Sequence, residues 1–281
     1  MTESMMIVST LEELFHARRY LNGIVGLVPT MGYLHAGHIS LVQQAKKECG
    51  SVIVSIFVNP TQFGPQEDLS NYPRNIERDL QLLEEADVDI AWMPSPEIMY
   101  PPSYQTWVEV ENLTQPLEGS MRPGHFRGVT TVVATLFNAT RPDKAYFGQK
   151  DAQQAAVIRQ MARDLSYPLE IVVCPIHREA DGLAMSSRNS YLSPEQRQAA
   201  PVLYRGLSAA RAAFEHGEKD AGKLRQIVID ILTAEPQAQV QYVSCADYDT
   251  LAELERVTGK ALISLAVFVG KTRLIDNIVL D

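Results

Sequence analysis

The chain has 281 residues, 46% hydrophobic and 21% charged, with a formal net charge of −9 at neutral pH. That length supports a sizeable core and fits one large and one small domain better than a single one, and the balanced composition excludes disordered and fibrous classes. The acidic balance speaks against a nucleic-acid footprint, so any anionic substrate needs a local positive pocket.

The N-terminal stretch "MTESMMIVSTLEELFHARRYL" carries early acids and interrupts its apolar run, so it reads as neither a signal nor a transit peptide. No later run approaches the ~20 apolar residues of a membrane span. Cys49, Cys174 and Cys245 lie far apart without CxxC spacing, which argues against a zinc ribbon or disulfide framework and suggests a reducing cytoplasm.

In chain order, Thr10 with Glu13 reads as a capping box opening an amphipathic helix that runs to Tyr20. "IVGLVPTM" (24 to 31) reads as a buried strand, "ISLVQQAKKE" (39 to 48) as a helix and "SVIVSIFVN" (51 to 59) as a β-branched strand. The alternation continues with a helix at 74 to 86, a strand at 88 to 93, a helix at 128 to 140, a strand at 144 to 148, a helix at 151 to 165 and a strand at 169 to 174. Alternating β and α segments imply a parallel sheet with right-handed crossovers, a doubly wound, Rossmann-like α/β domain.

Beyond Cys174 the pattern changes. Helices at 194 to 217 and 221 to 234 precede strands near 239 to 247, 261 to 269 and 272 to 279, which suggests a smaller C-terminal α+β domain. The expected division is residues 1–176 and 177–281, with "DGLAMSSRN" (181 to 189) near the junction.

Ligands of open α/β sheets bind beyond the carboxyl ends of the strands, near the point where strand order reverses. Three polar clusters fall at such ends: "PTMGYLHAGH" (29 to 38), "NPTQFG" (59 to 64) and "FGQKDAQQ" (147 to 154), and the topology predicts that they converge. The first has neither the GxGxxG of a dinucleotide site nor the GxxxxGK[ST] of a phosphate loop. Free N–H groups at a helix start attract anions, and imidazoles three residues apart can share one side of that turn. Gly37 lets a ligand approach the backbone. Taken alone, His35 and His38 are equally ordinary polar residues at a helix start. A zinc site is disfavoured, because the other histidines are scattered and HExxH does not occur.

Lys150 can neutralise phosphate charge, and Asp151 is a candidate N-cap. Gln62 and Gln154 can hydrogen-bond a small polar substrate. "MSSRN" offers hydroxyls and a guanidinium for phosphate oxygens on a loop able to move, and also reads as a polar linker before an N-cap at Ser193. Arg122 and Arg127 of "RPGHFRG" add further cations.

Together "PTMGYLHAGH", "FVNPTQF", "NYPR", "RPGHFRGV", "FGQKDAQQ" and "DGLAMSSRN", in this order, resemble the pantothenate synthetase (pantoate–β-alanine ligase) family of the HIGH-type nucleotidyltransferases. The resemblance implies a cytoplasmic homodimer that uses ATP and Mg²⁺ to join pantoate to β-alanine through a pantoyl adenylate, with no nucleic-acid or membrane partner. It implies an ATP site of Met31, Gly32, Tyr33, Leu34, His35, Ala36, Gly37, His38, Gly148, Gln149, Lys150, Asp151, His177, Met185, Ser186, Ser187 and Arg188. His38 would be the proton donor, with His35, Lys150, Ser186, Ser187 and Arg188 supporting catalysis. Gln62 and Gln154 would hold pantoate, Gln62 would also border β-alanine, and Asn59, Tyr72 and Arg122 would be further pocket members. The metal ligands stay unassigned.

Acyl-adenylate chemistry needs water kept out, and closure of the "MSSRN" loop with the small domain is the expected means. Two residues depart from the family's pattern: His177 stands where a small aliphatic residue is usual, and Gln149 replaces the more usual Glu. Rivals are another adenylyl- or cytidylyltransferase acting on a phosphate-bearing substrate, an aminoacyl-tRNA synthetase, and a non-catalytic nucleotide sensor. The Gln62 and Gln154 pair suits a hydroxyl- and carboxylate-bearing substrate better than a phosphate.

Overall fold

The computed structural model describes residues 4–64, 67 and 69–281. The chain forms two compact units, one of Met1–Gly148 with Gln154–Cys174 and one of Gln149–Gln153 with Pro175–Asp281. The short segment Gln149–Gln153 therefore packs with the second unit, although its position in the chain puts it among the elements of the first.

In the first unit, β1 (Met6–Val8), β2 (Val25–Thr30), β3 (Ser51–Ile56), β4 (Ile90–Trp92), β5 (Lys144–Gly148) and β6 (Glu170–Cys174) form one sheet in the order β1-β4-β3-β2-β5-β6. Every pairing is parallel, as the βα alternation predicts. Ser51–Ile56 is buried at every position, the pattern of a strand covered on both faces. The numbering runs outward in opposite directions from β2 and β5, so strand order reverses between these two neighbours.

The helices of this region are α1 (Leu11–Arg18), α2 (Ala36–Glu48), α3 (Ile76–Glu85), the short α4 (Pro96–Met99) and α5 (Glu118–Met121), α6 (His125–Thr140) and α7 (Ala152–Asp164). Thr10 and Glu13 form the expected capping box of α1. Three differences from the sequence reading have physical causes. β1 is only three residues long, too short for its alternation to register, and is recruited as the edge partner of β4. Helix α2 begins at Ala36 rather than at 39, because His35 is its N-cap. Helix α6 begins at His125 rather than at 128, directly after Gly124 turns the chain in the left-handed region at φ 82°.

The second unit contains α8 (Pro194–Ala199), α9 (Val202–Glu215), α10 (Ala221–Thr233) and an antiparallel sheet of β7 (Ala238–Asp247), β8 (Ala261–Val269) and β9 (Thr272–Leu280). The single helix expected over 194 to 217 is split at Pro201, whose ring and missing N–H interrupt the hydrogen-bond ladder. Ser193 and Gln196 cap α8 as a capping box, with Pro194 in its first turn. Leu203, Leu207, Leu224, Val228, Ile263 and Leu265 are among the residues that build this unit's own core. The three cysteines are free thiols, each buried. Among the described residues no helix is long and apolar enough to cross a membrane.

Candidate active site

The turn after β2 is shaped by its backbone. Gly32 and Tyr33 both occupy the left-handed region, at φ 82° and 50°. A tyrosine resists that conformation, so the surroundings must hold it there. Asp79 of α3 does so: its carboxylate accepts the backbone N–H groups of Tyr33 and Leu34, both at 2.7 Å. Asp79 is 1% exposed, and a buried carboxylate persists where such donors satisfy it. Its neighbour Arg78 donates to the Leu34 carbonyl at 2.9 Å and lies 5.9 Å from the centre of the Tyr33 ring. One turn of α3 thus brackets the residues before the histidines.

The two histidines form the helix cap themselves. His35, in an extended conformation, accepts the Gly37 N–H on Nδ1 at 3.1 Å, and His38 accepts the His35 N–H on its own Nδ1 at 3.3 Å. This is the reciprocal geometry of a capping box with imidazoles in place of Ser and Glu. Two acceptor Nδ1 atoms leave the proton of each neutral ring on Nε2, making Nε2–H the donor. The rings lie 4.1 Å apart between centroids, on one side of the turn as the spacing implied.

The turn after β3 gathers the next group. Asn59, 1% exposed, caps the 3-10 turn Pro60–Gln62. Its Oδ1 accepts from the Thr61 hydroxyl at 2.9 Å and from the Tyr100 hydroxyl at 2.8 Å. Its Nδ2 donates to Gln62 Oε1 at 3.1 Å and to the Gly128 carbonyl at 3.0 Å. Asn59 is thereby committed to protein groups, one of them the Gln62 side chain. The Gln62 amide nitrogen lies 3.1 Å from Met31 Sδ, joining this turn to the histidine turn. At Gly128 a Cβ would come within 2.5 Å of the Thr61 carbonyl oxygen and 2.7 Å of the Gln62 nitrogen, so only glycine lets α6 approach so closely.

Arg122 holds Glu67 through two hydrogen bonds of 2.6 and 2.7 Å. It also donates to His125 Nε2 at 3.1 Å, which leaves His125 Nδ1–H to donate to the Gln62 carbonyl at 2.8 Å. Burial, reinforced by the Arg122 charge, pushes the His125 imidazole down to about 4. The carboxyl of Glu67 sits below the usual range because its hydrogen bonds and ion pair with Arg122 outweigh the cost of burial. Tyr72, 7% exposed, packs edge-on against Phe63. Arg127 stacks over Trp107, its guanidinium 4.5 Å from the ring centre. Gln154 is half-buried on α7.

In the second unit, Gln149–Asp151 form a 3-10 turn that leads into α7. The Lys150 ammonium stands 3.8 Å from Asp151. Residues 177 to 185 fold back on themselves, with the Met185 N–H donating to the His177 carbonyl at 3.0 Å and a bridge between Arg178 and Ala184. The His177 side chain is exposed. Ser186 caps the following 3-10 turn, Ser187–Tyr191, by accepting the Arg188 N–H at 3.2 Å. A cavity within this unit is lined by Lys150, Ser186, Arg188, Arg273 and Asp276 among others, so most of its ionisable lining is cationic. Gly148, which ends β5, has no atom within 4 Å of where a Cβ would lie.

Of the sequence-derived candidates, the structure brings Met31, His35, His38, Asn59, Gln62 and Arg122 into one region of the first unit and Lys150, Ser186 and Arg188 into one cavity of the second. Sequence reasoning missed Arg78 and Asp79, which look like any charged pair in the helix "IERDLQLLEE". It also missed His125, although that residue sits inside the quoted stretch "RPGHFRG". Its place between two arginines was the available signal.

A doubly wound parallel sheet, with a histidine-capped helix leading from its central strand at the point of reversal, defines this chain as an α/β ligand-binding protein of the Rossmann-like class. The family model for pantoate-beta-alanine ligase matches residues 5–279, and the chain belongs to that family. It is 61% identical over 277 residues to the pantothenate synthetase of Herpetosiphon aurantiacus, covering 98% of this chain and 100% of that protein. It is 57% identical over 277 residues to that of Roseiflexus castenholzii, covering 99% and 100%. The crystal structure of pantothenate synthetase from Thermus thermophilus superposes with a TM-score of 0.93 at 48% identity, covering 98% of this chain and 99% of that one. The pantoate-beta-alanine ligase of Francisella tularensis, solved in complex with beta-gamma ATP and beta-alanine, gives a TM-score of 0.80 at 35% identity, covering 98% and 97%.

Proposed function

We propose that this protein condenses pantoate with β-alanine at the expense of ATP, giving pantothenate, AMP and pyrophosphate through a pantoyl adenylate. The observation that carries the reading is the histidine capping box at the reversal point of the sheet, in a chain whose family match runs nearly end to end.

In the first half-reaction a pantoate carboxylate oxygen bonds to the α-phosphorus of ATP while the bond to the bridging oxygen breaks and pyrophosphate leaves. Negative charges approach each other, so the protein's task is placement and charge compensation, without a protein nucleophile. His38 and His35 supply Nε2–H groups to the phosphates, His38 filling the proton-donor role as a hydrogen-bond donor that offsets the developing charge. Lys150 and Arg188 supply positive charge, and Ser186 and Ser187 supply hydroxyl donors. Met31 to His38, Gly148 to Asp151, His177 and Met185 to Arg188 form the nucleotide site in this reading. Gln62 and Gln154 hold pantoate. Asn59 and Arg122 serve by fixing Gln62, as their hydrogen bonds to it support, and Tyr72 borders the same pocket.

In the second half-reaction the β-alanine amine, held beside Gln62, bonds to the activated carbonyl carbon, the acyl–phosphate C–O bond breaks, AMP leaves and the amine loses a proton. Mg²⁺ accompanies the nucleotide. Bound with the nucleotide, it would neutralise phosphate charge beside Lys150 and Arg188. The reading also includes a homodimer working in the cytoplasm, which sedimentation of the purified protein and fractionation of cells test.

The deciding experiment measures pyrophosphate release from ATP with pantoate alone, then AMP and pantothenate on adding β-alanine. Absence of pantoate-dependent pyrophosphate release would overturn the reading. The variant His38→Ala should lose adenylate formation while keeping a folded chain, the lost cap costing about 1 kcal/mol. Retained turnover would reassign the proton donor.

A further inference from the structure

Asn277 lies on β9, 2% exposed and far in sequence from every motif considered above. Its side chain is spent on the segment that carries Lys150. The amide Nδ2 donates to the carbonyl oxygens of both Gln149 and Lys150, each at 2.9 Å, and Oδ1 accepts from Gln149 Nε2 at 3.0 Å. The other end of the Gln149 amide accepts from the Tyr248 hydroxyl at 3.3 Å.

The clamp is itself anchored. The Asn277 N–H donates to Asp276 Oδ1 at 2.7 Å, and Asp276, also 2% exposed, is held by Arg178 through two hydrogen bonds of 2.7 and 2.9 Å. The guanidinium of Arg178 lies 4.1 Å from the centre of the Tyr204 ring. A bidentate pair stacked on an aromatic ring resists rotation, so the strand end that presents Asn277 is fixed.

The carbonyls of Gln149 and Lys150 belong to the two peptide planes that flank the Lys150 Cα. Holding both to one amide nitrogen fixes φ and ψ of Lys150, and with them the direction in which its side chain leaves the backbone. Asparagine is suited to this: at its size it combines two N–H donors with one acceptor, whereas aspartate offers no donor. The same geometry gives the glutamine at 149 a purpose, since its amide can donate to Asn277 and accept from Tyr248, and a carboxylate at that position could not donate.

We propose that Asn277 is a positioning residue for the reaction, clamping the backbone on both sides of Lys150 so that the ammonium is aimed into the cavity it shares with Ser186 and Arg188. The proposal rests on the reading of Lys150 as a cation acting on the phosphates.

The test is a double-mutant cycle on the full-length protein, using pantoate-dependent exchange of labelled pyrophosphate into ATP, with thermal unfolding followed in parallel. The variants are Asn277→Asp, Asn277→Ser, Lys150→Ala and each Asn277 variant combined with Lys150→Ala. Because a misplacement of about 1 Å can cost roughly 100-fold in rate, Asn277→Asp and Asn277→Ser should lower the maximal exchange rate about 10- to 100-fold. The KM for pantoate should hold. In the Lys150→Ala background the same substitutions should cost no more than about twofold further, since the group they aim is gone. Wild-type exchange in folded Asn277 variants overturns the proposal. So does an equal loss with and without Lys150, which is what a purely structural role gives. If Lys150→Ala alone keeps wild-type exchange, it is the reading of Lys150 that falls. If neither Asn277 variant folds, Gln149→Leu, which cuts one arm of the clamp, carries the same cycle, and the same two results overturn the proposal.

Discussion

Replacing Asp79 by asparagine probes how the histidine turn is held. The carboxylate accepts two backbone N–H groups at 2.7 Å each, from Tyr33 and Leu34, in a site 1% exposed. Hydrogen bonds to a charged group contribute about 1.5–3 kcal/mol each, and a buried donor left without a partner costs about 1–3 kcal/mol. Asparagine keeps one acceptor oxygen and turns its NH₂ toward the other donor, so one bond is lost and one buried N–H is orphaned. Since the lost bond and the orphaned donor are overlapping losses at one N–H, Asp79→Asn should destabilise by about 2–4 kcal/mol, a large share of a typical total of about 5–15 kcal/mol. At about 2–4 °C per kcal/mol for a chain of this size class, the melting temperature should fall by roughly 4–16 °C. The damage should also reach the chemistry. Without its second anchor, Tyr33 relaxes from its left-handed conformation and carries the start of α2, with His35 and His38, out of place. Thermal unfolding and pantoate-dependent ATP–pyrophosphate exchange on the same preparation check both effects. A variant that melts within a degree of the parent and exchanges at the parent rate would refute the role given to Asp79.

Three further outcomes follow from named contacts. His125 is neutral in the folded state, its value depressed to about 4 from the ordinary 6.5, so the unfolded chain binds the extra proton between those values. Stability from this group is therefore complete above pH 6.5 and declines as the pH falls toward 4, by about 3 kcal/mol in all at about 1.4 kcal/mol per pH unit. In urea titrations across that range, His125→Gln should flatten the slope, and an unchanged slope counts against the assignment. Gly128→Ala drives a methyl into the Thr61–Gln62 backbone at 2.5 to 2.7 Å, which should destabilise by about 1–3 kcal/mol and raise the KM for pantoate. Normal pantoate kinetics would dissociate that turn from the substrate. His177→Val should leave the KM for ATP within about twofold, because in the proposed nucleotide site position 177 serves through its backbone and its exposed side chain carries about 0.5 kcal/mol or less. A strong change would place the imidazole itself against the nucleotide.

The βα alternation, the capping boxes at Thr10 and Ser193, and the polar clusters at strand ends are local properties, and local periodicity and cap chemistry suffice to reveal them. The histidine turn belongs with them: spacing alone puts His35 and His38 on one side of a helix start. Where sequence reasoning erred, a residue acted through partners distant in the chain. Three residues at Met6–Val8 become a strand only because β4 offers an edge, and their own pattern is too short to announce it. Asp79 looks solvent-facing until the fold brings it under Tyr33 and Leu34, 46 and 45 residues away. Lys150 is conspicuous in "FGQKDAQQ", yet the groups that hold its backbone come from β9, 127 residues further on. The residue types proposed for the chemistry stand in short motifs. Their orientation was decided by buried polar groups such as Asp79, Asn59 and Asn277, whose value comes from satisfying distant backbone and side-chain partners inside the fold, and pairings of that kind leave no mark on local periodicity.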